Sequence, residues 1–203
     1  MSKKIGCVIM ASGISRRFGE NKLLVDFEGQ TLIERVLLLT DGELFSRRIV
    51  VTRTEEVARI CKMRGIEVIL HEYSGRGDAV RLGMERLTDR TSGLDGCMFI
   101  PCDQPLLQKK SLVRMINKFS EESGKMIQLA YKENRGAPIL FSADYFQELM
   151  QLPPEKGGNY IMKKYPDQVD LVQAEYESEL FDMDTREDYI RLKEVYQTII
   201  MSD

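Results

Sequence analysis

Between Ala11 and Lys22 the chain reads ASGISRRFGENK, with small residues, two adjacent arginines, a glycine and a lysine within a dozen positions. Small side chains let backbone N–H groups approach a phosphate, arginine offers phosphate oxygens a planar fork, and lysine offers a compact charge that can follow a moving phosphoryl group. A polyphosphate is the ligand this combination suits. Neither common phosphate loop is present: the glycines of GxGxxG are missing, and Gly13 and Gly19 stand one residue too far apart for a Walker loop, with Lys22 not preceded by glycine. In isolation SRRFG reads more simply as a surface turn with solvated arginines, and its place directly after the first strand shifts the reading towards phosphate. A second candidate is Asp103 in FIPCDQPLL, between Pro101 and Pro105 at the end of an apolar run. A carboxylate leaving a strand in a proline-stiffened turn can hold a divalent cation beside phosphates, or it can cap the helix that KKSLVRM begins.

Such groups need strands to carry them to one edge. Apolar runs at 5–10, 48–52, 66–70 and 96–102 are short, rich in branched residues and bounded by polar or glycine-containing segments, as buried strands are. Segments of helical length lie between them, opening at Thr31, Thr54 and Asp78, the second with Gly65 placed to end it. This βαβαβαβ order predicts an α/β fold with a mostly parallel sheet covered on both faces, with ligands at the carboxyl ends of its strands. Leu112, Met115, Ile116 and Phe119 form a further helical stripe, and 126–131 with 136–141 form a hairpin across KENR, so the sheet is mixed. A short helix is expected within 152–167, and Thr185 with Asp188 predicts a capping box on the last helix.

At 203 residues the chain fits one domain spanning 1–203, and 43% hydrophobic with 30% charged residues suits a folded globule, not a disordered one. A net charge of −3 argues against a broad nucleic-acid face while permitting a local cationic pocket. The apolar stretches fall short of the roughly 20 residues that span a bilayer, and the N-terminus lacks a secretion signal, so no membrane partner and a cytoplasmic address are expected. Cys7, Cys61, Cys97 and Cys102 include no CxxC pair, and the spacing of Cys97 and Cys102 puts them on opposite faces of a strand; reduced core thiols are expected.

MASGISRRFGENKLL, PCDQPLL, RGAPILF and FDMDTREDY, in this order and at these distances, resemble the MobA-like nucleotidyltransferases that attach a nucleotide to the molybdenum cofactor, especially their cytidylyltransferase branch. The resemblance spans nearly the whole chain and weakens across 142–180. It implies a three-layer, Rossmann-like nucleotidyltransferase fold and a requirement for Mg²⁺. It implies that Ala11, Ser12 and Gly13 pack against the nucleotide, that Arg16 and Lys22 bind its phosphates, and that Asp103 ligates Mg²⁺ with Asp182 completing the metal site. Arg16, Lys22 and Asp103 would be the catalytic set. Asp184 is the weaker acidic candidate, more simply a polar lead-in to Thr185. Gly77, Asp78 and Arg81 would sit near base and ribose, although RGDAV replaces the usual serine-rich run, and Gly136 and Pro138 would shape the acceptor pocket or, equally well, form a strand-entry turn. PPEKGGNYIMKK replaces the acidic turn of many relatives near the acceptor. His71, the only histidine, is read as a surface or satisfied residue without a catalytic role.

The implied reaction moves a nucleoside monophosphate, CMP from CTP in first place, onto the phosphate of molybdopterin with release of pyrophosphate, and a molybdenum hydroxylase would receive the product. CTP is favoured because the loop reads MASG and not the double-glycine form of the guanylyl branch. A guanylyltransferase, a sugar-phosphate nucleotidyltransferase and a non-catalytic nucleotide-binding module are the alternatives.

Overall fold

The structure is a computed structural model and describes residues 3–89, 93–122 and 124–201. Its centre is a seven-stranded sheet of β1 (Ile5–Ala11), β4 (Arg47–Thr52), β5 (Glu67–Leu70), β6 (Gly96–Pro101), β7 (Met126–Tyr131), β8 (Asn134–Ser142) and β9 (Val169–Gln173). The order is β5-β4-β1-β6-β8-β7-β9. All neighbours run parallel except at β8, which is antiparallel to both β6 and β7. A separate two-stranded ribbon joins β2 (Asp26–Phe27) to β3 (Gln30–Thr31).

Alternate residues of β1 enter two cores. Ile5, Cys7, Ile9 and Ala11 pack with α1 (Leu32–Leu39), α2 (Glu55–Met63) and α4 (Lys109–Glu121) on one face. Val8 packs with α3 (Arg76–Asp89), α5 (Phe146–Met150) and α6 (Asn159–Lys164) on the other. This is the expected three-layer α/β fold. The close seating of α3 on the sheet depends on Gly83, where an added Cβ would meet Val8 Cγ1 at 2.5 Å. The closing helix α7 (Arg186–Ile200) covers the ribbon through Leu192, Phe27 and Leu32 in a third core.

The predicted capping box forms at Thr185 with Asp188, and a second reciprocal box, of Thr31 with Glu34, starts the helix expected to open at Thr31. Gly65, at φ 69°, lies just past the end of α2. The hairpin forms with a two-residue turn at Lys132 and Glu133. Cys97 and Cys102 lie in opposite cores, and all four cysteines are buried and free. Several elements differ from the sequence reading, the short helix α5 among them. The third helix opens at Arg76, two residues before Asp78. The ribbon at 26–31 and strand β9 carry no clear sequence signal, because a two-residue strand has no periodicity and VDLVQ includes a charge and mostly half-buried positions. Among the described residues no helix is long and apolar enough to cross a membrane.

The strand order fixes where loops gather. From β1 the chain moves outward to β4 and β5, then returns past β1 to β6, so β1 and β6 are adjacent while their connections leave in opposite directions. A crevice opens at such a switch point, beyond the carboxyl ends of the two strands.

Candidate active site

Beyond Ala11 the loop turns back on Phe18, whose N–H donates to Ser15 O at 3.1 Å and whose ring is buried in the third core. Ser15 and Gly19 take positive φ values, 54° and 87°. Asn21 then caps a 3-10 turn over Lys22–Leu24, accepting from Leu23 N–H at 3.2 Å, and this turn drives the Lys22 side chain inward. A chain that ends a strand, anchors a phenylalanine and restarts with a capped turn thereby buries a lysine.

The ammonium of Lys22 donates to Asp103 Oδ2 at 2.8 Å and to Asp184 Oδ1 at 2.7 Å. Burial alone would make the ammonium more acidic, but the charges and hydrogen bonds of Asp103 and Asp184 outweigh it and hold the lysine protonated. Asp184 also accepts from Arg17 Nη2 at 2.6 Å. Burial pushes its carboxyl up, yet Lys22 and Arg17 together bring it below the usual carboxylate range. Asp184 is thus more than a lead-in to Thr185, and the sequence reading underrates it. Asp182 behaves oppositely: burial and then the charge of Asp103 raise it, with the amide of Gln104 pulling against them at 3.0 Å. Met183 N–H donates to Asp103 O at 2.8 Å and ties the two acidic segments together.

These groups line a cleft of about 1090 Å³. Ser12, Gly13, Arg16 and Arg17 line it from the first loop, together with Asp103, Asp182 and Asp184. Ala11 ends β1 buried beneath them. The lining holds seven Lys or Arg against four Asp or Glu, in a chain whose net charge is −3, so positive charge is concentrated here. A further cationic group stands across the carboxylates from the first loop. Phe99 of β6 pairs with Ile139 of β8, which puts Arg135 at the same sheet edge as Asp103, and Lys156 and Lys163 line the adjoining wall. Gly136 lines the cleft at the start of β8, whereas Pro138 is buried behind it.

Gly77, Asp78 and Arg81 do not line the cleft. Gly77 N–H donates to Pro154 O at 2.9 Å, and an added Cβ there would meet Pro153 O at 2.1 Å. Asp78 is buried and pairs with Arg81 at 2.6 Å. The three residues seal the start of α3 against the 153–156 loop, and it is Ser74, Gly75 and Arg76 just before them that reach the cleft. The backbone of Pro153 and Pro154 closes against this first turn of α3.

His71 follows β5, 8% exposed, with Nε2 2.8 Å from Ser12 Oγ. Ser12 Oγ donates to Val51 O at 3.0 Å, so its proton is committed and His71 Nε2–H is the donor to Ser12. That leaves Nδ1 as a buried lone pair without a partner. Burial and the charge of Arg53 depress the imidazole, which is neutral at pH 7. Arg53, absent from the sequence reading, follows β4 and has Nε and Nη1 buried without partners. A charged residue directly after an apolar strand was the available signal.

The donor set decides what cation it suits. Asp103 and Asp182 offer hard carboxylate oxygens, and Gln104 Oε1 beside Asp182 is buried without a partner. Among the described residues no three His, Cys, Asp or Glu side chains form a ready cage, with Lys22 lying between Asp103 and Asp184. Mg²⁺ does not need such a cage, since it is held by one or two carboxylates, several waters and substrate phosphates. The residues fit that ion.

A mixed sheet with its cleft at the β1/β6 switch point, a cationic small-residue loop and acidic residues entering from two later segments define a nucleotidyltransferase. Residues 7–169 match the MobA-like NTP transferase domain. The chain belongs to that family. Among curated relatives it is 28% identical over 142 residues to the "Probable molybdenum cofactor guanylyltransferase" of Bacillus cytotoxicus, covering 68% of this chain and 67% of that one. A protein of the same name from Bacillus mycoides is 26% identical over 144 residues, covering 69% and 68%. Among solved structures, Rv0371c of Mycobacterium tuberculosis superposes with a TM-score of 0.82 at 24% identity, over 95% of this chain and 99% of that one. A nucleotidyl transferase of Methanothermobacter gives 0.78 at 20% identity, over 97% and 99%. At these identities the structural likeness establishes the fold.

Proposed function

We propose that this protein transfers a nucleoside monophosphate from a nucleoside triphosphate to a phosphate monoester acceptor of the molybdopterin type. The observation that carries this reading is the convergence of Lys22, Asp103, Asp182 and Asp184 at one end of a cleft whose remaining charge is cationic. An acceptor phosphate oxygen attacks the α-phosphorus, a P–O bond forms, the bond to the β-phosphate breaks, and pyrophosphate leaves. Such displacement needs alignment and charge neutralisation more than covalent help. Ser12 and Gly13 bound the nucleotide, Arg16 takes the departing pyrophosphate, and Lys22 follows the α-phosphate. Asp103 and Asp182 would hold Mg²⁺, which when bound supplies Lewis-acid polarisation of phosphoryl oxygens. Arg135, Lys156 and Lys163 form the wall that an anionic acceptor approaches.

Two donors are supported by different observations. The MASG loop favours CTP, and the names of the curated relatives favour GTP. The test is calorimetric binding of CTP, GTP, ATP and UTP with Mg²⁺, followed by pyrophosphate release on addition of molybdopterin, with Asp103→Ala alongside. Selective binding of one donor and pyrophosphate release lost in Asp103→Ala are expected. Binding without pyrophosphate release from any donor and acceptor would make the chain a nucleotide-binding module instead. Full turnover in Asp103→Ala would remove Asp103 from the site.

A further inference from the structure

The fully buried Glu179 lies outside the cleft lining and has no cationic partner among the described residues. Its carboxylate is held by four donors. Oε2 accepts from Ser111 Oγ at 2.6 Å and Gln108 N–H at 3.2 Å, while Oε1 accepts from Glu175 N–H at 2.8 Å and Tyr176 N–H at 3.3 Å. Arg114 Nη2 donates to Ser111 Oγ at 3.0 Å, which leaves the serine proton for Glu179. Burying a carboxylate is costly unless its lone pairs are met, and here each oxygen is met twice. An apolar residue here would leave the N–H groups of Gln108, Glu175 and Tyr176 without this acceptor, so the glutamate holds the backbone of both segments in place.

Its bonds join two segments distant in the chain. Gln108 and Ser111 open α4, five and eight residues after Asp103, and Glu179 lies three residues before Asp182. Higher in the same seam, Gln104 Nε2 donates to Leu180 O at 3.3 Å and to Asp182 Oδ1 at 3.0 Å, and Met183 N–H donates to Asp103 O at 2.8 Å. The ties form a short ladder with Glu179 at its base and the acidic pair at its top. Asp103 and Asp182 carry like charge and repel, so something must fix the separation of the loops that bear them. We infer that Glu179 is a positioning residue that sets the spacing of Asp103 and Asp182 for a divalent cation. This rests on the reading of those carboxylates as the cation site. Outer-layer partners of this kind orient ligands without touching the ion.

The test uses full-length protein with saturating nucleoside triphosphate and without acceptor, so that substrate phosphates complete the cation site and nothing turns over. Glu179→Gln keeps the shape but turns an NH₂ group toward N–H donors. Ser111→Ala removes one of the four bonds and guards against a Gln variant that fails to fold. Two readouts are taken: hydrogen exchange at the Met183 amide, and Mn²⁺ affinity by electron paramagnetic resonance. In Glu179→Gln the Met183 amide is expected to exchange faster while amides inside β6 keep their rates, and the Mn²⁺ dissociation constant is expected to rise about tenfold. Ser111→Ala should move both readouts the same way by a smaller factor. Unchanged Met183 exchange in both variants overturns the inference. Faster exchange with unchanged Mn²⁺ affinity overturns it too, because Glu179 would then serve stability alone. Wild-type protein that binds no Mn²⁺ overturns the cation reading of Asp103 and Asp182, and this inference with it.

Discussion

Replacing Lys22 by methionine keeps the aliphatic stem and deletes the charge at the meeting point of two carboxylates. The lysine side chain is 5% exposed, whereas Asp103 and Asp184 are 25% and 34% exposed. Breaking a fully buried pair costs about 3–5 kcal/mol, and an exposed one about 0–1 kcal/mol. With one partner buried and two partly solvated, we expect a loss of about 2 kcal/mol at pH 7, discounted from the buried figure for screening at the carboxylates. In a chain of this length that lowers Tm by about 4–8 °C. A double-mutant cycle with Asp184→Asn isolates the electrostatic part: Lys22→Met should cost about 1 kcal/mol less when Asp184→Asn is already present, because one repelling carboxylate is then gone. The assay is urea unfolding of the four proteins at equal ionic strength, with the m-value checked for constancy. Under the proposed reaction, the same variant should lose turnover by a much larger factor than nucleotide affinity. A coupling energy indistinguishable from zero would refute the electrostatic reasoning. A pure affinity loss would mean that Lys22 only holds the ground state.

His71 gives the pH dependence. Its folded-state value is depressed by burial and Arg53, while the unfolded side chain titrates near ~6.5, so between these values the unfolded chain binds more protons and stability falls as pH drops below about 6.5. Unfolding at pH 7.5 and 5.5 should show this decline in the wild type and a shallower one in His71→Asn; identical slopes would exclude His71 as its source. Gly77→Ala should destabilise by about 1–3 kcal/mol in thermal melts, because the new methyl would meet the backbone carbonyl of Pro153 at 2.1 Å and a backbone atom cannot swing aside. Under the proposed reaction, Arg135→Ala with Lys163→Ala should raise KM for the acceptor with KM for the nucleotide unchanged in steady-state assays; an equal rise in both would move that wall to the nucleotide side.

Local sequence was enough for the main strands, the helices between them and the carboxyl-edge address of the ASGISRRFG loop and Asp103. Branched apolar runs, the capping box at Thr185, and Gly65 at a helix end all act over a few residues. Which charged groups meet is a tertiary matter. Lys22 and Asp184 are 162 positions apart, and no short-range pattern marks the aspartate at 2.7 Å from the lysine as different from any helix lead-in. The same holds for Glu179, whose partner Ser111 lies 68 positions away. Conversely, Gly77, Asp78 and Arg81 look placed for a nucleotide in the sequence, but the backbone of Pro153 and Pro154, far along the chain, packs against the first of them and the other two pair with each other. Contacts between segments so far apart leave no mark on the local pattern of either, so only the folded chain decides which residues face the cleft and which are covered.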